Sequence, residues 1–165
     1  PEEAIPWLRL ATLINPSHEN AWVATAFWLS KTQEEHITTG ATSRAIELLE
    51  RARRLPMPTR QALLYELGHL HLHRAKNFAK AHDVLSEAAA EGEKRFNSLD
   101  ESQKHWLELN FIDFALACRL LGSYEEAIHV CERGLRLFPD DWPLQLSMKH
   151  TRELLRTQRQ KLSRK

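Results

Sequence analysis

The sequence predicts an all-α fold in which antiparallel helix pairs stack into a solenoid. Two repeated spacings of small and apolar residues lead to this prediction, because each spacing places its residues on one face of a helix. Helix pairs built on these spacings cannot bury their apolar faces alone, so they must stack on copies of themselves. With 42% hydrophobic residues, 27% charged residues and only five glycines in 165 positions, the chain has the composition of one folded domain.

The first spacing joins a small residue, an apolar residue four positions later and another small residue seven positions after the first. Small side chains on one helical face let a second helix approach closely. We therefore expect each such segment to be a helix that packs tightly on one side. The four segments are Ala4/Leu8/Ala11, Ala45/Leu49/Ala52, Ala81/Leu85/Ala88 and Ala127/Cys131/Gly134.

The second spacing occurs in the helix that precedes three of these segments. It places mostly bulky or small residues at positions i, i+3, i+4 and i+7. These positions share one helical face, which we expect to be buried. In the middle helix the last of these positions is His71, so we predict a mostly buried, hydrogen-bonded histidine there. The three sets are Trp22/Thr25/Ala26/Leu29, Leu64/Leu67/Gly68/His71 and Phe111/Phe114/Ala115/Cys118.

The last unit, FIDFALACRLLGSYEEAIHVCERGLRLFP over Phe111–Pro139, resembles the tetratricopeptide repeat family, because its small, turn and proline positions fall at the family's spacing. Gly122 and Tyr124 fit the turn between its helices. The middle unit matches from Leu64 to Ala88 with one extra residue near Ala75. The resemblance implies a right-handed superhelix of antiparallel helix pairs, whose first helices line a concave groove for peptides or partner helices.

The units are longer than the family's repeat of about 34 residues. We assign the extra length to a polar loop, Ser30–Ser43, and to a lengthened first helix that starts near Leu99. Ser98 with Glu101 and Ser123 with Glu126 have the spacing of capping boxes. The predicted organisation is one domain, 1–165: an orphan second helix (1–15), repeats over 17–56, 59–93 and 99–139, a capping helix (141–160) and a basic tail (161–165). The orphan helix leads us to expect a piece of a larger solenoid protein.

The resemblance also implies which side chains line the partner-binding groove. They are Asn20, Val23 and Phe27, then Tyr65, His69, Leu72 and His73, then Leu109, Ile112, Asp113, Leu116 and Leu120. The leucines and Ile112 of the last group form an apolar stripe opposite that helix's core stripe, and such a helix is normally covered on both sides. Three candidates could bury this stripe: the chain's own basic terminal helix, a second copy of the chain or the missing repeats, and a segment of another protein.

Three histidines alternate in the stretch YELGHLHLHR, Tyr65–Arg74. On a helix His69 and His73 are surface neighbours, four residues apart, which is a spacing that metal ligands use. Glu66 or Asp113 would have to complete such a site. Two histidines make a weak site, and the sequence shows no HExxH motif and no nearby cysteine pair. We therefore predict no metal and no other cofactor.

Charge and cysteine content narrow the function classes. The formal net charge is +1, but Lys149–Lys165 carries seven cations against Glu153, which leaves a nucleic-acid or acidic partner as an alternative. That segment has no aromatic residue to stack on bases.

Cys118 and Cys131 lack the paired spacing of a zinc site, so we expect buried thiols in a reducing compartment such as the cytoplasm. A disulfide between the two cysteines is the alternative. No apolar run is long enough to cross a bilayer.

Enzyme motifs are missing from the sequence: it has no GxGxxG or Walker-type phosphate loop and no GxSxG nucleophile elbow. We therefore predict a protein that is not an enzyme. The predicted function is a scaffold or adaptor that binds a protein segment in an apolar groove. The alternatives are nucleic-acid or acidic-partner binding through the basic C-terminal helix, and a purely structural spacer.

Overall fold

The computed structural model describes residues 4–31 and 39–163, and every regular element in these ranges is helical. The all-α prediction is therefore confirmed. None of the helices in these ranges combines the length and hydropathy that a membrane crossing requires. The elements are α1 (Ala4–Ile14), α2 (Glu19–Lys31), α3 (Thr39–Ala52), α4 (Gln61–His69), a π-helical turn (Leu70–Arg74), α5 (Phe78–Arg95), a 3-10 turn (Phe96–Ser98), α6 (Glu101–Leu120), α7 (Tyr124–Leu137) and α8 (Trp142–Leu162).

The helices pack against one another in a regular order along the chain. Each helix packs against the next one along the chain, and the even-numbered helices α2, α4, α6 and α8 also contact one another in order. Helices α3, α5 and α7 each bridge two even-numbered helices. This arrangement places the even-numbered helices side by side, so that their outer faces form one continuous surface.

The core follows the two spacings. The residues of the second spacing, from Trp22 to Cys118, are all buried except Leu29, which is half-buried. The residues of the first spacing are buried, as predicted, in the three segments from Ala45 to Gly134. The prediction is wrong for α1, where Ala11 is exposed and Ala4 and Leu8 are only half-buried. Among the described helices, α1 packs mainly against α2.

Glycines mark where successive helix pairs come closest. A Cβ built on Gly92 would lie 2.5 Å from Leu107 Cδ1, and one on Gly134 would lie 2.8 Å from Leu144 Cδ1. Both leucines are fully buried. The same contact therefore joins α5 to α6 and α7 to α8: a leucine near the start of one helix fills the space above a glycine of the previous one.

Ion pairs join the odd-numbered helices α3, α5 and α7. Arg133 of α7 binds Glu93 of α5 through two hydrogen bonds, of 2.9 and 2.7 Å. Arg53, which follows α3, pairs with Glu87 of α5. A bidentate arginine–carboxylate pair is among the stronger ion pairs. These contacts therefore help to hold α3, α5 and α7 in position relative to one another.

Helix limits differ from the prediction in two places. The predicted loop Ser30–Ser43 is shorter, because α2 extends to Lys31 and α3 begins at Thr39; residues 32–38 lie outside the described part of the chain. Helix α8 runs to Leu162, into the predicted tail. Its N-cap is Asp141, whose Oδ1 accepts a 2.6 Å hydrogen bond from Leu144 N.

Both predicted capping boxes are wrong. Helix α6 is capped by Asp100 and Gln103, which bond each other's backbone N–H at 2.8 and 3.1 Å. Ser123 does begin α7 but makes no capping hydrogen bond through its side chain. The carboxylate of Glu126 bonds His82 of α5 at 2.9 Å instead, so it serves the contact between helices and not the start of its own.

A π-helical turn absorbs the extra residue of the middle unit. Ala75 N donates to Leu70 O at 2.9 Å, five residues back, and Lys76 then adopts a left-handed backbone with φ 53°. His71 within this turn is buried, as predicted. Its predicted hydrogen bond is wrong, since neither ring nitrogen has a partner among the described residues. Burial lowers the pKa of His71, because a charged imidazole would lose its hydration there.

Glu19 of α2 caps a neighbouring helix. Arg60, the N-cap of α4, makes no side-chain capping hydrogen bond. Instead Glu19 Oε1 accepts a 2.9 Å hydrogen bond from Leu63 N in the first turn of α4. Burial nevertheless raises the pKa of Glu19, with a further contribution from the charge of Glu91, against the lowering effect of the backbone hydrogen bonds. The cap thus fixes α2 against α4 at the cost of burying a charge.

The raised pKa of Glu19 predicts a specific pH dependence. Its contribution to stability is complete below the unfolded value of 4.5 and is lost as the pH rises through the higher folded pKa. Glu19→Gln keeps an oxygen acceptor for Leu63 N and cannot ionise, so the variant should gain stability relative to the wild type as pH rises through that range. Glu19→Ala should cost about 1–3 kcal/mol, because Leu63 N–H is left unpaired.

Urea unfolding at a series of pH values measures these differences. Glu101→Gln is the matched control, because it makes the same exchange at a side chain that is 91% exposed. Parallel stability curves for Glu19→Gln and the wild type would contradict the prediction.

Candidate functional site

The outer face of the even-numbered helices carries the predicted groove residues of α2 and α6. Phe27 and Leu120 are 38% and 48% exposed, and Asn20 is also exposed. The remaining apolar side chains of the set are half-buried and lie beside the core clusters; they are Val23, Leu109, Ile112 and Leu116. The surface therefore presents partly accessible apolar side chains on two helices, with α4 between them.

Leu72 was predicted to line the groove, and this prediction is wrong. It is 1% exposed and packs in the same core cluster as Phe111 and Phe114. The prediction assumed a regular α-helix, with 100° between successive residues. Leu72 lies within the π turn, which holds more residues per turn and rotates the side chain inward.

The predicted groove residues between α4 and α6 form a polar cluster. His69 Nδ1 lies 2.8 Å from Asp113 Oδ2, and His73 Nε2 lies 3.1 Å from Asp113 Oδ1. The two imidazole rings are 4.4 Å apart between centroids. We call His69, His73 and Asp113 the His–Asp cluster. The Asp113 carboxylate thus contacts both histidines and links the segment that contains the π turn to α6.

Burial and charge act on the groups around this cluster. The hydrogen bond to Asp113 raises the pKa of His69, despite the opposing effect of burial. Burial raises the pKa of Glu66, and it raises that of Tyr65 together with the nearby charge of Asp113. These groups lie on α4 beside the histidines, so the cluster combines solvent-facing imidazoles with carboxyl groups that are largely removed from water.

Trp106 was not predicted to belong to this surface. Its ring lies 5.4 Å from that of Tyr65 between centroids, and it is half-buried. A sequence signal was present, because Trp106 lies three residues before Leu109 and so extends the α6 stripe by one turn. Trp106 therefore reaches the His–Asp cluster through Tyr65, whose ring lies 5.6 Å from that of His69.

A depression of about 250 Å³ lies at one end of the even-numbered helices. Its lining comes from the starts of α2 and α6 and from the segment before α4, and includes Asn20, Thr59, Asp100 and Trp106. Glu19 also lines it. The two carboxylates make this end unsuited to an anion, although helix N-termini ordinarily attract one.

Helix α8 lies against α6 and α7 but leaves part of the stripe open. Leu120 is exposed, and Leu109, Ile112 and Leu116 keep partial exposure with α8 in place. Two of the α8 cations pair with α7, each at 3.2 Å: Arg152 with Glu132 and Arg159 with Glu125. The basic helix therefore uses part of its charge within the molecule.

A second group of possible ligands lies between α5, α6 and α7. His82, Cys118 and Glu126 bring their ligand atoms within 4.8 Å of one another. Cys118 is a free, fully buried thiol, as is Cys131, and burial raises the pKa of Cys118 to about 12. Because metals bind the thiolate, this group is the poorer candidate for a metal.

The surface of α2, α4 and α6 thus carries partly exposed apolar side chains on α2 and α6, and the His–Asp cluster adds nitrogen and oxygen ligand atoms between α4 and α6. Comparison of the chain with protein-family models, with curated proteins and with solved structures finds no match.

Proposed function

We propose that the chain is a solenoid of tetratricopeptide-like helix pairs and that its groove binds an amphipathic segment of another protein. The support is the single surface formed by α2, α4 and α6, which exposes apolar side chains although their opposite faces are buried. A folded chain normally leaves few such side chains aligned on neighbouring helices. In this role the protein is a scaffold or adaptor and not an enzyme.

The chemistry of the surface describes the segment it would take. Phe27 and Leu120 offer apolar contacts at its two sides, and the His–Asp cluster with Trp106 lies between them. Burying roughly 600 Å² of apolar surface at about 25 cal/mol per Å² gives on the order of 15 kcal/mol before association and ordering costs. A net affinity in the micromolar range follows for a short segment with apolar side chains on one face.

The alternative partner, a nucleic acid held by α8, has weaker support. Arg152 and Arg159 are already paired with carboxylates of α7. Salt distinguishes the two functions, because binding to phosphates weakens about 10³–10⁵-fold between 50 and 200 mM salt when six to ten contacts are made. Burial of apolar surface in the groove should change little over the same range.

A selected peptide tests the proposal. Peptides enriched from a displayed random library on the wild-type protein should lose at least about 10-fold in affinity for the Phe27→Asp/Leu120→Asp variant, since a buried charge opposes apolar contact. Isothermal titration calorimetry gives the affinities. Circular dichroism and urea unfolding establish that the variant is folded.

A matched variant controls for the added charge. Trp142→Asp/Leu162→Asp makes the same kind of change at two α8 side chains that are 66% and 67% exposed, and it should bind the selected peptide as the wild type does. The proposal fails if no peptide is enriched, or if enriched peptides bind all three proteins equally.

A further inference from the structure

The His–Asp cluster has the ligands and the spacing of a metal site. His69 and His73 offer one imidazole nitrogen each and Asp113 one carboxylate oxygen, with these atoms all within 4.8 Å of one another. Around a tetrahedral Zn²⁺ with bonds of about 2.0–2.2 Å, donor atoms lie roughly 3.3–3.5 Å apart. In the structure each histidine contacts its own oxygen of Asp113: His69 Nδ1 lies 2.8 Å from Oδ2, and His73 Nε2 lies 3.1 Å from Oδ1. A small outward movement of the side chains therefore makes room for an ion.

The backbone that presents the two histidines is unusual. His69 ends α4, and His73 lies in the π turn Leu70–Arg74 that follows it. π turns inside helices are rare and occur often at functional sites. Here the turn keeps both imidazole rings beside Asp113 while it directs Leu72 into the core. The irregularity thus serves the geometry of the cluster.

Access and charge also suit a cation. The His69 and His73 side chains are 38% and 36% exposed, whereas that of Asp113 is 11% exposed. An ion can therefore arrive from solvent, keep a water molecule on its outer side, and meet a carboxylate held in the protein.

The donor set selects the kind of metal. Imidazole nitrogens suit Zn²⁺ and its late transition-metal neighbours, whereas Mg²⁺ and Ca²⁺ prefer oxygen ligands alone. Three protein ligands leave one position of a tetrahedral ion for water or for a group from a partner.

We propose that His69, His73 and Asp113 bind one Zn²⁺ ion, which joins the π-containing segment to α6 at the centre of the groove surface. The ion replaces the hydrogen bonds of the cluster with coordinate bonds and fixes α4 against α6. The site does not depend on the groove binding a protein segment, so the two proposals can fail separately.

Titration of chelator-treated protein with ZnCl₂, followed by calorimetry, tests the site. The expected result is one Zn²⁺ per chain and a rise in the thermal unfolding midpoint. His73→Ala and Asp113→Asn should each weaken binding by at least about 100-fold, the upper end of what loss of a supporting residue outside the ligand shell costs. His73 is partly exposed, so His73→Ala should fold even if Asp113→Asn does not.

Two controls make the result specific. His105→Ala removes a histidine that is 61% exposed and pairs with Glu108 of its own helix, and it should leave Zn²⁺ binding unchanged. Co²⁺ bound in place of Zn²⁺ should give a spectrum without a thiolate charge-transfer band, since the proposed ligands contain no sulfur. No saturable binding, binding undiminished in His73→Ala, or a thiolate band that assigns the metal to Cys118 would overturn the proposal.

Discussion

Leu85→Ala is expected to lower the free energy of unfolding by about 2–5 kcal/mol and to reverse the effect of a change at Gly68. Leu85 of α5 is fully buried. A Cβ built on Gly68 of α4 would lie 2.6 Å from Leu85 Cγ, closer than two carbon atoms can approach. The contact between these helices therefore requires that position 68 has no side chain.

Gly68→Ala alone should lower the free energy of unfolding by up to about 2 kcal/mol. Replacing glycine by alanine inside a helix ordinarily gains about 1 kcal/mol, but overpacking a tight core costs about 1–3 kcal/mol, and the Leu85 side chain that would have to shift is fully buried. In the Leu85→Ala background the clash is gone and the added methyl group partly fills the cavity. There Gly68→Ala should stabilise the protein by about 1 kcal/mol.

Urea unfolding of the four proteins, followed by far-UV circular dichroism, measures this double-mutant cycle. Gly40→Ala is the control for helix propensity, because a Cβ at that exposed position of α3 would meet only the end of the Arg44 side chain, at 4.0 Å. Stabilisation by Gly68→Ala in the otherwise wild-type protein would contradict the close contact.

The buried faces could be predicted from sequence because packing imposes them locally. Where two helices approach closely, one must carry small side chains at offsets that share a face, and Gly68, Ala81 and Ala88 show this directly. The exposed face of α1 could not be predicted in the same way. Its spacing matches that of the other second helices, but the spacing does not report whether a neighbouring helix is there to cover it.

Local competition explains the misplaced helix start at α6. Ser98–Glu101 and Asp100–Gln103 both have the spacing of a capping box, two residues apart. The burial of Leu99 orders the chain just before Asp100, and the helix begins after it. Two equal local signals are thus separated by a contact with a distant part of the core.

The candidate site was predicted in part for a similar reason. Helical phase indicates that His69 and His73 share a face, and the family resemblance implies that Asp113 lies on the same groove surface. It does not give the distance between the helices, which depends on how α4 packs against α6. The π turn adds a further difficulty, since one extra residue near Ala75 can be absorbed in a loop, a bulge or a wider turn, and only packing decides among them.

Phe111→Ala is expected to lower the free energy of unfolding by about 3–5 kcal/mol, whereas Leu120→Ala should change it by no more than about 0.5 kcal/mol. Both residues belong to α6, but they lie nine positions apart, which is two and a half turns and places them on opposite faces. Phe111 is fully buried, and its ring lies against Gly134 and 5.9 Å from the Arg133 guanidinium group. Leu120 is 48% exposed.

Urea unfolding at two protein concentrations separates the possible covers of the α6 stripe. If the stripe is free in solution, the cost of Leu120→Ala stays small and does not change on dilution. If a second copy covers it, Leu120→Ala should cost more at the higher concentration, because dissociation then accompanies unfolding. If both variants lose the same free energy of unfolding at every concentration, α6 does not have one buried and one exposed face. That result would also contradict the open groove.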